Sequence, residues 1–260
     1  MPHVAKICIY PIKSLDGIEV MQAKVLESAA LEGDRQFAIF DEQGKYVNAK
    51  CYEKIHLLRS KFYLANKIIS LQVEDGDTEE SFDIESEKQH LEAWLSNFFG
   101  FNVTLQENLI TGFPDDTVSP GPTIVSTATL KEVASWYSEL TEEAIRRRMR
   151  TTIEIDGVPA FWEDKLFSEN GSMINFKIGN LHFVGVNPCQ RCIVPTRNAV
   201  TGKVNCDFQK IFINKRRETL PGWVNKSRFN HYYKLAVNTR LASKKLENQV
   251  IKIGDEITLL

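Results

Sequence analysis

The chain has 260 residues, 43% of them hydrophobic and 25% charged, with a formal charge of −2. That length buries a full core without disulfide staples, and that composition excludes a disordered, collagen-like or small disulfide-scaffold protein. The near-neutral balance argues against nucleic-acid binding, and no apolar run approaches the roughly 20 residues a membrane span needs.

The N-terminus, Met1-Pro2-His3-Val4-Ala5, has neither the apolar stretch of a signal peptide nor the Arg/Ser richness of a transit peptide, so a cytoplasmic location is expected. Val4 to Pro11 reads as a strand, followed by a turn at Asp16-Gly17 and a loosely alternating segment from Ile18 to Leu26. Arg35 to Phe40 and Tyr46 to Ala49 flank the turn Asp41-Glu42-Gln43-Gly44 and predict a hairpin. Leu57 to Leu64 and Lys67 to Val73 predict a second hairpin, with an acidic tip over residues 74–80. Glu87 to Phe99 is a helix, because Leu91, Trp94, Leu95, Phe98 and Phe99 recur at three/four spacing before Gly100. Phe101 to Glu107 resumes as a strand.

Residues 108–122 hold Pro114, Pro120 and Pro122 and form the best boundary in the chain. The expected domains are therefore 1–115 and 116–260. A helix from Thr127 to about Leu140 follows, with Thr127 as its N-cap. Strands are expected at Thr152–Ile155, Met173–Ile178 and Asn180–Val186, and a helix over Cys206–Arg217. Tyr232–Asn238 and Val250–Leu260 return to strand around Gly254-Asp255. The class is mainly β (α+β): barrel-like β architecture with a few inserted helices.

The sharpest chemical feature is Asn187-Pro188-Cys189-Gln190-Arg191-Cys192, a Pro-bounded turn after an apolar strand. Five cysteines, at 8, 51, 189, 192 and 206, give no even framework, so thiols are expected. Arg191 beside Cys192 favours thiolate, the form needed by a nucleophile or a soft-metal ligand. Three readings stay open on the residues alone. One is a pair of buried thiols. The second is a zinc site drawing on Cys206, His182 and His231, which are badly spaced for it. The third is a single-thiolate site for a redox metal or for sulfur transfer. Lys13-Ser14 closes the first strand and offers a point charge plus a hydroxyl to a phosphate, although a surface lysine reads as well. Arg35, entering an apolar strand, needs a partner, either Asp34 or a ligand. Arg146-Arg147-Arg148-Met149-Arg150 is a charge run whose Arg148 and Arg150 lead into a strand and aim cations at an anion.

With these pieces placed, the chain resembles proteins with an N-terminal MOSC-type β-barrel domain followed by a MOSC domain. The match runs through Ile9-Tyr10-Pro11-Ile12-Lys13-Ser14-Leu15-Asp16-Gly17 and Gly33-Asp34-Arg35-Gln36-Phe37. It continues through Arg148-Met149-Arg150-Thr151-Thr152-Ile153, Phe161-Trp162-Glu163-Asp164, Pro188-Cys189-Gln190-Arg191-Cys192 and Leu235 to Arg240. Members similar to it include the amidoxime-reducing component and bacterial reductases of N-hydroxylated bases. The resemblance implies a molybdenum cofactor (molybdopterin), not pyridoxal phosphate, with Cys192 as the catalytic residue and molybdenum ligand. It implies that Lys13, Ser14, Arg35, Ser126, Thr127, Arg150, Thr152 and Arg191 bind the pterin and its phosphate. Such reductases usually read Arg-Pro-Asn where this chain has Arg150-Thr151-Thr152, and serine or threonine where it has Gln190, so substrate choice stays open. The implied activity is reduction of hydroxylamines, amidoximes or other N-hydroxylated small molecules. The four-cysteine spacing of a plant-type iron–sulfur cluster is missing, so electrons are expected from a separate flavin reductase, ferredoxin or cytochrome. The alternative is a sulfur carrier or cofactor-handling protein with a persulfide on Cys192.

Overall fold

The structure is a computed structural model that describes residues 1–170, 172–242 and 249–260. Its largest sheet has eight strands: β1 (His3–Ile9), β2 (Ile18–Val20), β9 (Ile124–Ser126), β10 (Ile153–Asp156), β11 (Ile174–Ile178), β12 (Leu181–Gln190), β13 (Lys234–Leu241) and β15 (Ile257–Leu259), in the order β15-β11-β12-β13-β9-β10-β1-β2. All neighbours are antiparallel except β9 and β10. Gly254 N–H donates to Val4 C=O at 2.8 Å and Ile257 N–H to Pro2 C=O at 2.9 Å, which draws the far edge of the sheet back onto β1. That contact satisfies backbone groups an open edge would leave bare.

Sheet pairing ignores the expected boundary at 115/116. β1 and β2 are built into the sheet of the C-terminal half, and β3 (Gln22–Lys24) pairs with β14 (Val250–Lys252). The rest of the N-terminal half packs separately: β4 (Phe37–Asp41) on β8 (Val103–Glu107), a sheet of β5 (Leu58–Tyr63), β6 (Ile68–Val73) and β7 (Glu79–Asp83), and the helix α1 (Lys88–Phe99). Their shared core includes Ile39, Leu58, Leu71, Leu91, Leu95 and Leu105. Gly100 at φ 85° ends α1, as its position predicts.

Four expectations change. The segment from Tyr46 bridges β4 only at Phe40, and the strand partner of β4 is β8. The acidic tip turns at once into β7, whose polar residues stay outside while Phe82 packs inward. Directly after the proline-rich boundary lies β9, three fully buried residues in the middle of the large sheet. The arginine run also ends a helix, α3 (Glu142–Met149), which Thr141 caps through the Ala144 N–H at 3.1 Å, before the chain enters β10 at Ile153. Glu142 and Glu143 at its start and three arginines at its end complement the helix dipole.

Two remaining helices, α2 (Thr127–Ser135) and α4 (Phe208–Glu218), are tied to the sheet through the motif Phe161-Trp162-Glu163-Asp164. Thr129 Oγ1 donates to Glu163 Oε2 at 3.0 Å, and Arg216 of α4 pairs with Asp164. All three charged side chains are almost wholly buried, and Glu163 Oε1 has no partner. Burial, then the neighbouring Asp164 charge, raises the Glu163 carboxyl from 4.5 to about 7. A raised carboxyl contributes stability that is full below 4.5 and is lost as pH climbs through about 7. Urea melts across pH 5–8 are therefore expected to show the wild type losing up to about 1.4 kcal/mol per pH unit relative to Glu163→Gln. Parallel stability curves for the two proteins would contradict this.

The same motif presses on β12. A Cβ on Gly185 would lie 1.7 Å from the Leu166 carbonyl oxygen, inside any van der Waals limit. Gly185→Ala is expected to cost about 3 kcal/mol or more by forcing backbone apart, read as a lower urea midpoint. A midpoint within error of the wild type would show that the strand yields freely.

Candidate functional site

β12 runs to Gln190, four residues past its expected end, because two irregularities in its pairing with β13 absorb Pro188. Arg191 N–H continues the ladder to Tyr233 C=O at 3.0 Å, and Cys192 follows in the turn before Val194–Thr196. Two arginines lock this turn to the end of α3. Arg191 Nη2 donates to Met149 C=O, and Arg148 Nη1 donates to Pro195 C=O at 2.8 Å. The Arg148 guanidinium, buried over the Phe208 ring at 5.1 Å, thus holds the cysteine turn from behind.

In front of the turn lies a cavity of about 420 Å³. It joins Cys189 and Cys192 to Lys13, Ser14, Arg35, Arg150, Thr152 and Arg191. Seven of the nine residues expected at a site therefore share one space, from segments up to 179 residues apart (13 to 192). Ser126 and Thr127 do not. Ser126 is fully buried as the true N-cap of α2, accepting from Thr129 N–H at 3.0 Å, and Thr127 Oγ1 donates to Glu154 at 2.9 Å. The Ser126 hydroxyl is spent on the helix start and that of Thr127 on β10.

The cavity wall carries unusual backbone. Ser14, Arg35 and Arg150 all sit at positive φ, 73°, 50° and 51°. Each costs about 1–2 kcal/mol for a residue with a Cβ, and such strain persists where surroundings fix it for a purpose. Arg150 occupies the left-handed cap of α3, where glycine is usual. That turn brings its guanidinium 4.1 Å over the Tyr10 ring, leaving Nη2 buried without an acceptor. Arg191 Nε is likewise unpartnered. Burial, opposed by Tyr10 and reinforced by Arg35, lowers the pKa of Arg150.

Asp34 answers the question of a partner for Arg35: it pairs with Arg35 Nη1 and accepts from Tyr10 N–H at 2.9 Å. Lys13 Nζ donates to Asp115 at 2.7 Å and to Phe113 C=O at 2.8 Å. Lys50 adds a second cation 3.2 Å from Asp115. Burial disfavours the Asp115 charge, yet the two lysines outweigh it and hold the carboxyl far below its usual range. Asp115 and Lys50 are among the charged cavity residues that sequence reasoning did not assign to a ligand. The proline-rich loop that carries Asp115 folds over the cavity, and nothing local in its sequence signals this.

Arg191 differs from expectation in one respect. Its Nη1 donates to Cys189 Sγ at 3.3 Å, so its charge serves the first cysteine of the motif in this arrangement. Among the described residues, no group of three or more His, Cys, Asp or Glu could hold a metal. A zinc site built from Cys206, His182 and His231 therefore finds no geometric support. Cys189 and Cys192 are the two thiols that line this cavity.

Residues 1–109 match the family model of the MOSC N-terminal beta barrel domain, and residues 122–258 match that of the MOSC domain. The chain belongs to the MOSC family. MOSC domains are associated with molybdenum cofactor sulfurase-like proteins, and the family generally with binding of that cofactor. No curated protein matches the chain. The crystal structure of the YUAD protein from Bacillus subtilis is similar at 12% identity and a TM-score of 0.44, over 100% of this chain and 96% of that one. Among the described residues, no helix of this MOSC chain is long and apolar enough to cross a membrane.

Proposed function

We propose that this chain is a cytoplasmic molybdenum-cofactor enzyme that reduces N-hydroxylated small molecules with electrons from a separate donor protein. The observation that carries the reading is the cavity that faces Cys192 with Lys13, Ser14, Arg35, Arg150 and Arg191. Buried cations without acceptors, such as Arg150 Nη2, are costly unless a ligand completes them. A pterin with a terminal phosphate has the acceptors they lack, and arginine forks suit phosphate.

When bound, the cofactor would supply two-electron redox chemistry, so that an N–OH group, two electrons and two protons give N–H and water. Everything else falls to the chain. Cys192 would hold the metal through its thiolate sulfur. Lys13, Ser14 and Arg35 would hold the phosphate, with Asp115 yielding Lys13 to it. Arg150, Arg191 and Thr152 Oγ1 would orient the pterin. Thr152 now accepts from Thr123 N–H at 2.7 Å and would offer the ligand only a hydroxyl, where relatives have an amide.

The test is purification from a host that makes molybdenum cofactor, with metal quantified by mass spectrometry and pterin by fluorescence after oxidation. Near-stoichiometric molybdenum and pterin, with turnover of benzamidoxime or hydroxylamine by chemically reduced protein, are expected. A folded protein free of both would sink the reading. An extra sulfur on Cys192 in intact mass would then favour the sulfur-carrier alternative.

A further inference from the structure

A second cavity, of about 490 Å³, lies behind the first. Ser14, Ala49, Arg148, Arg150 and Val194 line both and form the wall between them. Its cationic side chains outnumber its acidic ones two to one. The charges toward solvent are already neutralised: Lys6 pairs with Glu19 and Lys61 with Glu79, each at 2.6 Å. The inner ones are not. Among the described residues, neither Arg148 nor Arg150 has a carboxylate within ion-pair distance.

His56 is the second, independent observation. Its side chain lines this cavity, the residue is 7% exposed, and Nε2 has no partner. A neutral ring with its proton on Nδ1 leaves Nε2 as an acceptor. Arg197, whose Nη1 pairs with Glu53, lines the same cavity with its Nε buried and unpartnered. Burial, then the charges of Arg150 and Arg197, pulls the His56 imidazolium down to about 4. The inner wall thus combines guanidinium N–H groups lacking acceptors with an imidazole nitrogen lacking a donor. An ionised carboxylate offers acceptors only. A hydrogen-phosphate group offers both, its P–O⁻ oxygens for the arginines and its P–OH for Nε2.

We propose that this second cavity binds a small phosphate-bearing ligand, separately from the cysteine-lined cavity. Its volume exceeds what one oxyanion fills, so it has room for a ligand larger than a single phosphate group. The proposal stands on this cavity alone and does not depend on a molybdenum cofactor in the first. Because Arg150 and Ser14 serve both walls, occupation of one cavity is felt at the other.

Inorganic pyrophosphate is the probe, with citrate as the comparison anion, titrated into the full chain by calorimetry and by NMR of the histidine ring protons. Saturable pyrophosphate binding with a shift of the His56 resonances is expected. Lys13→Gln, which alters only the first cavity, should leave that shift in place. Arg197→Gln should weaken it at least tenfold while melting within a few degrees of the wild type. His56→Gln identifies the resonance, and if it fails to fold the wild-type spectrum still decides. The proposal is overturned if His56 does not move, if Lys13→Gln abolishes the effect, or if citrate binds as tightly as pyrophosphate.

Discussion

Cys192→Ala is expected to lower bound molybdenum at least tenfold and to abolish reduction of N-hydroxylated substrate, with a melting temperature within about 2 °C of the wild type. The small stability effect follows from position. Cys192 is half-buried in a turn fixed by other groups, namely the Arg148–Pro195 and Arg191–Met149 hydrogen bonds and the Arg191 ladder bond to Tyr233. Removing one partly exposed sulfur from such a turn changes stability by about 0.5 kcal/mol or less. The large functional effect follows from the ligand set. With no other His, Cys, Asp or Glu cluster among the described residues, one sulfur would be the metal's bond to the chain. Cys189→Ala makes the contrast. Cys189 accepts from Arg191 at 3.3 Å, so its loss frees a guanidinium without removing the metal ligand. That variant should keep most of its molybdenum. Equal metal loss in both variants would mean that the motif acts as a pair and that Cys192 is not the ligand.

Much of the site was legible because its residues sit in short motifs with chemistry of their own. Lys13-Ser14, Asp34-Arg35, Arg150 and the cysteine turn each carry a charge or thiol next to an apolar strand, and all reach one cavity. The helix α1 was legible for a similar reason: its apolar face and its glycine stop are both local. What failed depended on tertiary contact. β9 has only three residues, and its strand character comes from β10 and β13 on either side. Its last residue, Ser126, caps α2, so a serine beside a threonine was assigned to a ligand when its hydroxyl was already committed. α3 carried a readable start signal in Thr141-Glu142-Glu143, but the arginine run masked it. Buried Arg148 cannot be told from solvated Arg147 by pattern, since burial there is set by Pro195 and Phe208 far along the chain.

Arg150→Met is expected to separate stability from binding. In the chain without ligand, Arg150 is a half-buried charge in left-handed backbone, its Nη2 fully buried, beside Arg35 and without a carboxylate partner. Replacing such a charge by an apolar side chain of similar length is worth about 1–4 kcal/mol in favour of folding. Loss of the contact with the Tyr10 ring takes back about 1–2 kcal/mol. Arg35 Nη2 keeps its 3.4 Å bond to the Arg150 carbonyl, because that acceptor is backbone. The net expectation is a ligand-free protein at least as stable as the wild type, by about 1 kcal/mol. Binding should move the other way. A charged hydrogen bond to a pterin or phosphate acceptor is worth about 1.5–3 kcal/mol, so pterin retention through dialysis should fall about 10- to 100-fold. Urea melts of ligand-free protein and pterin fluorescence of dialysed protein read the two effects separately. A variant that melts lower and keeps its pterin would make Arg150 a structural residue. A variant that melts higher and loses it would show that the strain and buried charge of this wall are retained for the ligand.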